Sequence, residues 1–258
     1  MTINQRGRLA ELILIETLLR SGYNVDVTIN NDQRYDVRAN INNGKVSHRI
    51  QVKAVSEDLA TNSKFVYTHK KVHNSLTTKS YVYTYKDVEY LAAVDIEERR
   101  SYLIPIKFLI DNSTRINLSK IMPFEIKKIS KGVELSTQQK GMICELMCQQ
   151  ELIKRSYRVS LPLSADSPYD MIIDSGEGLK RVQVKMLQKP KGRGGAFIRL
   201  IAKTYSKTKC KVRRYSKENV DYICGVDLAS RDMYFIPIEY LEDKKTSIAV
   251  SQVPQYLL

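Results

Sequence analysis

The sequence predicts an α/β protein made of two tandem domains of one fold, each a mixed β-sheet flanked by helices. Three observations carry this expectation. Residues of the first half match residues of the second half in order and at nearly constant spacing. Each half repeats the same succession of helical and strand periodicity. The chain of 258 residues is 43% hydrophobic, long enough for two small cores when domains commonly run to about 100–150 residues.

The repeat comes first, because a missed repeat misleads every later assignment. Residues 7–12 (Gly-Arg-Leu-Ala-Glu-Leu) match residues 141–146 (Gly-Met-Ile-Cys-Glu-Leu), Tyr23 and Val25 match Tyr157 and Val159, and Tyr35-Asp36 matches Tyr169-Asp170, all at a spacing of 134. Beyond these, Gln51-Val52-Lys53 matches Gln183-Val184-Lys185, Val88-Glu89-Tyr90 matches Val220-Asp221-Tyr222, Val94-Asp95 matches Val226-Asp227, and Ile104-Pro105-Ile106 matches Ile236-Pro237-Ile238, all at 132. Thr114 to Ser119 faces Thr246 to Ser251 at the same spacing. One two-residue deletion between Asp170 and Gln183 accounts for the change. The domains are therefore expected at 1–128 and 136–258, with the polar stretch from Lys127 to Gln139 between them.

Within copy two, apolar residues recur at helical spacing after Ser136-Thr137, which predicts an amphipathic helix over 138–155 that carries Glu145. Residues 169–174 and 179–187 are β-rich runs separated by Ser175-Gly176-Glu177-Gly178, the chemistry of a hairpin turn. Residues 220–226 and 233–238 read as two further strands joined by a turn over Leu228 to Asp232. Copy one repeats the plan, with Asn42-Asn43-Gly44 at its hairpin turn.

Lys and Arg number 42 against 28 acidic residues, a formal charge of +14, which favours a polyanionic partner. Double-stranded DNA is the expected partner. The chain shows no apolar run of about 18 residues, no signal-peptide pattern and no basic amphipathic helix with aromatic anchors, so a membrane partner is set aside and an intracellular location expected.

Side chains alternate along a strand, so Gln183 and Lys185 share one face while Val182 and Val184 take the other. Asp170 opens the neighbouring hairpin strand. A carboxylate, an amide oxygen and an ammonium can then converge at one end of the sheet, and copy one offers Asp36, Gln51 and Lys53 in the same arrangement. Phosphodiester hydrolysis needs a divalent cation on oxygen ligands, an activated water and positive charge facing the pentacovalent phosphate. Asp36 with Gln51, and Asp170 with Gln183, would hold Mg²⁺ or Mn²⁺. Lys53 and Lys185 would orient or deprotonate the water. Glu11 and Glu145, on the helices, could reach the ion through a metal-held water.

The order helix Glu, then Asp beside an apolar strand, then Gln-x-Lys resembles the PD-(D/E)xK nuclease superfamily, which includes restriction enzymes and junction resolvases. Gly7-x-x-x-Glu11, Tyr35-Asp36, Asp221-Tyr222 and Ile236-Pro237-Ile238, with their counterparts, resemble most the endonucleases encoded in group I introns, where Gln stands for the second acid. The resemblance implies restriction-endonuclease-like domains, and site-specific homing cleavage with each domain cutting one strand. It also implies an assembled parent, of which this chain fuses two subunits and works as a monomer or homodimer. Two departures stand out: Tyr35 and Tyr169 replace a Pro that shapes backbone only, and the Gln removes a formal charge from the metal site. A structure-selective Holliday junction resolvase and a catalytically silent DNA-binding protein are the alternatives.

Zinc and histidine chemistry are not expected. Cys144, Cys148, Cys210 and Cys224 face Ala10, Leu14, Thr78 and Ala92 in the other copy, which makes them packing residues, and His48, His69 and His73 have no counterparts. The segment after the second hairpin strand is the candidate DNA reader. Copy two carries Lys189, Lys191, Arg193, Arg199, Lys203, Lys207, Lys209, Lys211, Arg213 and Arg214 there, and copy one has Lys64, Lys70, Lys71 and Lys79. The lower charge of copy one predicts an asymmetric target. The glycines around Arg193 form no phosphate loop, since no Gly-Lys-Ser/Thr follows.

Overall fold

The computed structural model describes residues 1–27, 35–41, 46–73, 78–109, 114–127, 134–164, 166–190, 192, 195–205, 210–241 and 246–258, with backbone alone at 70–73, 78–79, 203–205 and 210–211. The chain divides into two compact units, Met1–Leu135 and Ser136–Leu258.

In the first unit, helix α1 (Ile3–Arg20) starts at a capping box. The Thr2 N–H donates to Gln5 Oε1 at 2.8 Å and the Gln5 N–H to Thr2 Oγ1 at 3.2 Å, so two otherwise orphaned backbone donors are satisfied. Gly22, at φ 80°, closes the helix, because the left-handed conformation there penalises a Cβ. The buried stripe of α1, with Leu9, Leu12, Ile13 and Leu18, packs on the sheet. That sheet is built from β1 (Val25–Val27), β2 (Val37–Asn40), β3 (Ser47–Ala54), and then β8 (Tyr90–Asp95) and β9 (Arg100–Pro105), in the order β1-β2-β3-β8-β9. Only β3 and β8 pair in parallel, with Gln51 opposite Leu91 and Lys53 opposite Ala93. A parallel pair needs a crossover. Here it holds β4 (Ser56–Asp58), β5 (Ser63–Tyr67) and the two-stranded ribbon of β6 (His69–His73) and β7 (Thr78–Val82). Strand β10 (Arg115–Asn117) returns to pair with β5.

The second unit repeats the design. Helix α3 (Thr137–Lys154), which follows the short α2 (Leu118–Ile121) of the first unit, begins with Ser136 and Gln139 in the same reciprocal cap, at 2.9 and 3.1 Å. Its sheet runs β11 (Arg158–Ser160), β12 (Met171–Asp174), β13 (Leu179–Met186), β17 (Tyr222–Val226) and β18 (Met233–Pro237), again with one parallel pair, β13 and β17. The crossover holds β14 (Phe197–Arg199), which pairs with β19 (Ser247–Ala249), and the ribbon of β15 (Ile201–Tyr205) and β16 (Cys210–Arg214).

The expected helix and strands of copy two lie within two residues of their observed bounds. Three details differ. Asp170 precedes β12 by one residue, held by its N–H to the Val182 carbonyl at 2.9 Å, as Asp36 is to Ile50 at 3.0 Å. The stretch from Ser136 to Gln139 is the cap and first turn of α3 rather than linker, because the capping box recruits it. The edge strands β1 and β11 are short ladders of three residues on β2 and β12, too brief to register as a period of two. The turn expected at Asn42 to Gly44 lies outside the described residues, while that at Ser175 to Gly178 has Gly176 and Gly178 at φ 94° and 116°.

Candidate active site

The first residues of β2 and β12 meet the middle of β3 and β13 at one end of each sheet, beside the long helix. In copy two the Val184 N–H donates to Asp170 Oδ2 at 2.7 Å and Gln183 Nε2 donates to the same oxygen at 2.5 Å. In copy one the Val52 N–H reaches Asp36 Oδ2 at 2.7 Å, and Gln51 Nε2 bonds to the same oxygen. The sequence therefore brings Asp and Gln together as expected, by a detail that alternation alone does not reveal. The amide N–H₂ of Gln and the backbone N–H of the next residue fix one and the same carboxylate oxygen.

Lys53 and Lys185, two residues further along the same strand face, carry their ammonium groups over aromatic rings. Lys53 Nζ lies 5.4 Å from the centroid of Tyr83, and Lys185 Nζ 4.9 Å from that of Tyr215. These tyrosines lie outside the expected site residues, although they match each other at the spacing of 132.

Electrostatics tie Glu145 to the same cluster. Burial and the neighbouring Asp170 charge push its carboxyl up to about 7, against the pull of Lys185. Burial also raises Asp170, opposed by the Val184 N–H, Lys185 and Gln183. Two carboxyl groups thus crowd one half-buried site with a single ammonium nearby, a charge balance that suits an added cation. Among the described residues no group of three or more His, Cys, Asp or Glu side chains converges. The donor set that fits a hard divalent ion here is two carboxylates and an amide oxygen, with water completing the shell. In copy one, Glu11 instead receives Arg8 Nη1 at 2.8 Å, where copy two has Met142.

The paired acids Glu89 and Asp221 do not join the cluster. Each anchors an arginine, Arg49 or Arg181, and accepts that arginine's own backbone N–H at 2.7 Å. The hydrogen bonds from the arginines hold both acids below their ordinary range. These pairs tie β3 to the start of β8 and β13 to the start of β17, and Arg49 and Arg181 are equivalent residues that the sequence pattern did not single out.

Of the candidate DNA-contacting residues, Arg199, Arg213 and Arg214 are exposed. Lys64 is bound to Asp95 at 2.7 Å and Glu98 at 2.5 Å, and Lys189 to Asp227 at 2.5 Å, so their charge is already partnered. Lys70, Lys71 and Lys79 lie on the β6–β7 ribbon and Lys203 and Lys211 on the β15–β16 ribbon, known in backbone only. Lys191, Arg193, Lys207 and Lys209 lie outside the described residues. Cys144, Cys148 and Cys224 are buried, and a hydrogen bond with Cys224, together with burial, raises the Cys148 thiol. His69 Nδ1 is 2.9 Å from the Thr114 carbonyl, and His48 packs edge-on against Tyr90. No helix among the described residues is long and apolar enough to cross a membrane.

A bacterial homing endonuclease of known structure is similar over 55% of this chain and 88% of its own, with 17% identity and a TM-score of 0.42. No curated protein sequence matches the chain. The family model described as PD-(D/E)XK endonuclease matches twice, over residues 1–131 and 135–255. Nucleases of that family generally use divalent metals and act on DNA. The chain accordingly belongs to the PD-(D/E)XK endonuclease family, as a tandem pair of its domains.

Proposed function

We propose that the protein is a site-specific, divalent-metal-dependent double-strand DNA endonuclease of homing type, with one active site per domain and each site hydrolysing one strand. The observation that carries the reading is the doubled constellation of helix Glu, Asp, Gln and Lys, its Asp–Gln pair held by the same hydrogen bonds on equivalent elements. In copy two, burial and the Asp170 charge also raise the Glu145 carboxyl, a perturbation that duplicated folding alone does not require.

Asp36 and Gln51, or Asp170 and Gln183, would hold Mg²⁺ or Mn²⁺, with Glu11 or Glu145 reaching it through water. The bound ion supplies Lewis acidity to the scissile phosphate and lowers the pKa of a water. Lys53 and Lys185 orient that water and offset charge on the phosphate. The β6–β7 and β15–β16 ribbons, rich in Lys and Arg, match in form the two-stranded ribbons that a DNA major groove admits. Their unequal charge supports an asymmetric target.

The test is to incubate the protein with a randomised duplex library and with a four-way junction, with Mg²⁺ or with EDTA, and to sequence the ends. Metal-dependent ends clustered on one duplex sequence are expected. Cutting of the junction alone would replace the proposal with a resolvase, and retention without cutting would replace it with a silent DNA-binding protein.

A further inference from the structure

We infer that Tyr83 and Tyr215 are positioning residues of the two active sites, whose rings hold the Lys53 and Lys185 ammonium groups at the reacting phosphate through a cation–π contact. The inference rests on the proposed nuclease activity. The contact is retained in both copies although the residues just before it have diverged. Residues 80–82 (Ser-Tyr-Val) and 212–214 (Val-Arg-Arg) share nothing, yet the next residue is Tyr in both.

The turn after each tyrosine fixes the place of its ring. In copy one the Thr84 N–H and Oγ1 donate to Asp87 Oδ2 at 3.0 and 2.9 Å. In copy two the Ser216 N–H donates to Asn219 Oδ1 at 3.3 Å, and Asn219 Nδ2 to Ser216 Oγ at 3.2 Å. The pattern Tyr-(Thr/Ser)-x-x-(Asp/Asn)-Val-(Glu/Asp)-Tyr thus forms a locked turn between ribbon and β8 or β17. Its last acid is the one that clamps Arg49 or Arg181. The same arginine donates to the carbonyls of Tyr85 and Lys86, or of Lys217 and Glu218, so the turn that follows the ring is tied to β3 or β13, the strand that carries the lysine.

A flexible lysine loses rotamer freedom when it is ordered, and a ring fixed beside it restricts that freedom in advance. The aromatic face supplies attraction without neutralising the ammonium, which a carboxylate partner would do. Packing alone accounts for a large apolar ring here, since Tyr83 belongs to the core of the first unit and Tyr215 packs against that of the second. Packing does not call for the lysine. Tyr83 also leaves its hydroxyl buried without a hydrogen-bond partner among the described residues. That is a cost a Phe would avoid while keeping the ring face, so Phe is the fitting parent for a series that varies the ring alone.

The experiment must separate the ring's electrostatics from its bulk. Phe and its mono-, di- and trifluoro analogues, introduced at 83 and 215, keep the shape while draining the π face. Single-turnover cleavage and DNA affinity are read alongside the melting temperature. The expected result is a rate that falls in graded steps along the series, the trifluoro ring being about five- to tenfold slower than Phe, with DNA affinity and melting unchanged across it. A rate flat across the fluorine series, in a protein that cuts DNA, would overturn the positioning role and leave the nuclease reading intact. Absence of cutting by the unsubstituted protein would overturn both.

Discussion

At Asp170 one carboxylate oxygen takes two donors, and the Asp170 charge, together with burial, pushes a second carboxyl, Glu145, up to about 7. The folded domain therefore prefers Glu145 protonated relative to the unfolded chain. The stability this confers is complete below about 4.5 and lost as the pH rises through about 7. Glu145→Gln removes the loss. Urea denaturation of the metal-free protein should show the variant's second unit more stable at pH 8, by on the order of 1 kcal/mol once partial exposure is discounted, and equal to wild type at pH 4.5. A variant less stable at pH 8 would contradict the crowding of the two carboxyls. Copy one differs, because Arg8 engages Glu11 where copy two has Met142. Arg8→Met should free Glu11 and speed cutting of copy one's strand by up to about fivefold, the limit of an exposed ion pair. End-labelled strands in one duplex would measure it, and an unchanged strand ratio would count against any role for Glu11.

The elements show what a sequence can and cannot make legible. The matches at 134 and 132 expose the repeat, the long helix and the paired strands of the parallel core, because these carry runs of apolar residues long enough to establish a period. Asp36, Gln51, Lys53 and their counterparts were legible through retention in both copies, and the structure does bring Asp and Gln together. Tyr83 was hidden among Tyr81 and Tyr85, and its partnership with Lys53 depends on a crossover of some thirty residues that no local pattern encodes. The edge strands were hidden by brevity. Helix ends give a sharper case. Both long helices finish alike, with Tyr23 or Tyr157 donating its N–H to Leu18 or Leu152 at 3.0 Å, but the left-handed residue before it is Gly22 in one copy and Ser156, at φ 68°, in the other. Ser156→Gly should therefore stabilise the second unit by about 0.5–1 kcal/mol in denaturant melts, since only Gly escapes the Cβ penalty there. A destabilised variant would mean that the Ser156 side chain contributes something the backbone does not reveal.

For the whole molecule, duplication in one chain lets two sites of one family diverge. Basic residues fall unequally on the two crossovers, and the helix carboxylates differ in their partners, so under the proposed function the halves are expected to prefer unlike half-sites and to cut at unlike rates. Each domain nevertheless keeps its own Asp, and under the proposed function each Asp serves one strand. Asp36→Asn and Asp170→Asn should each turn the protein into a nicking enzyme, read on a supercoiled plasmid that carries the selected site, with strand-specific sequencing of the nick. Open-circular product is expected from both single variants, with nicks on opposite strands and no cutting from the double variant. Linear product from either single variant, at the wild-type rate, would contradict it.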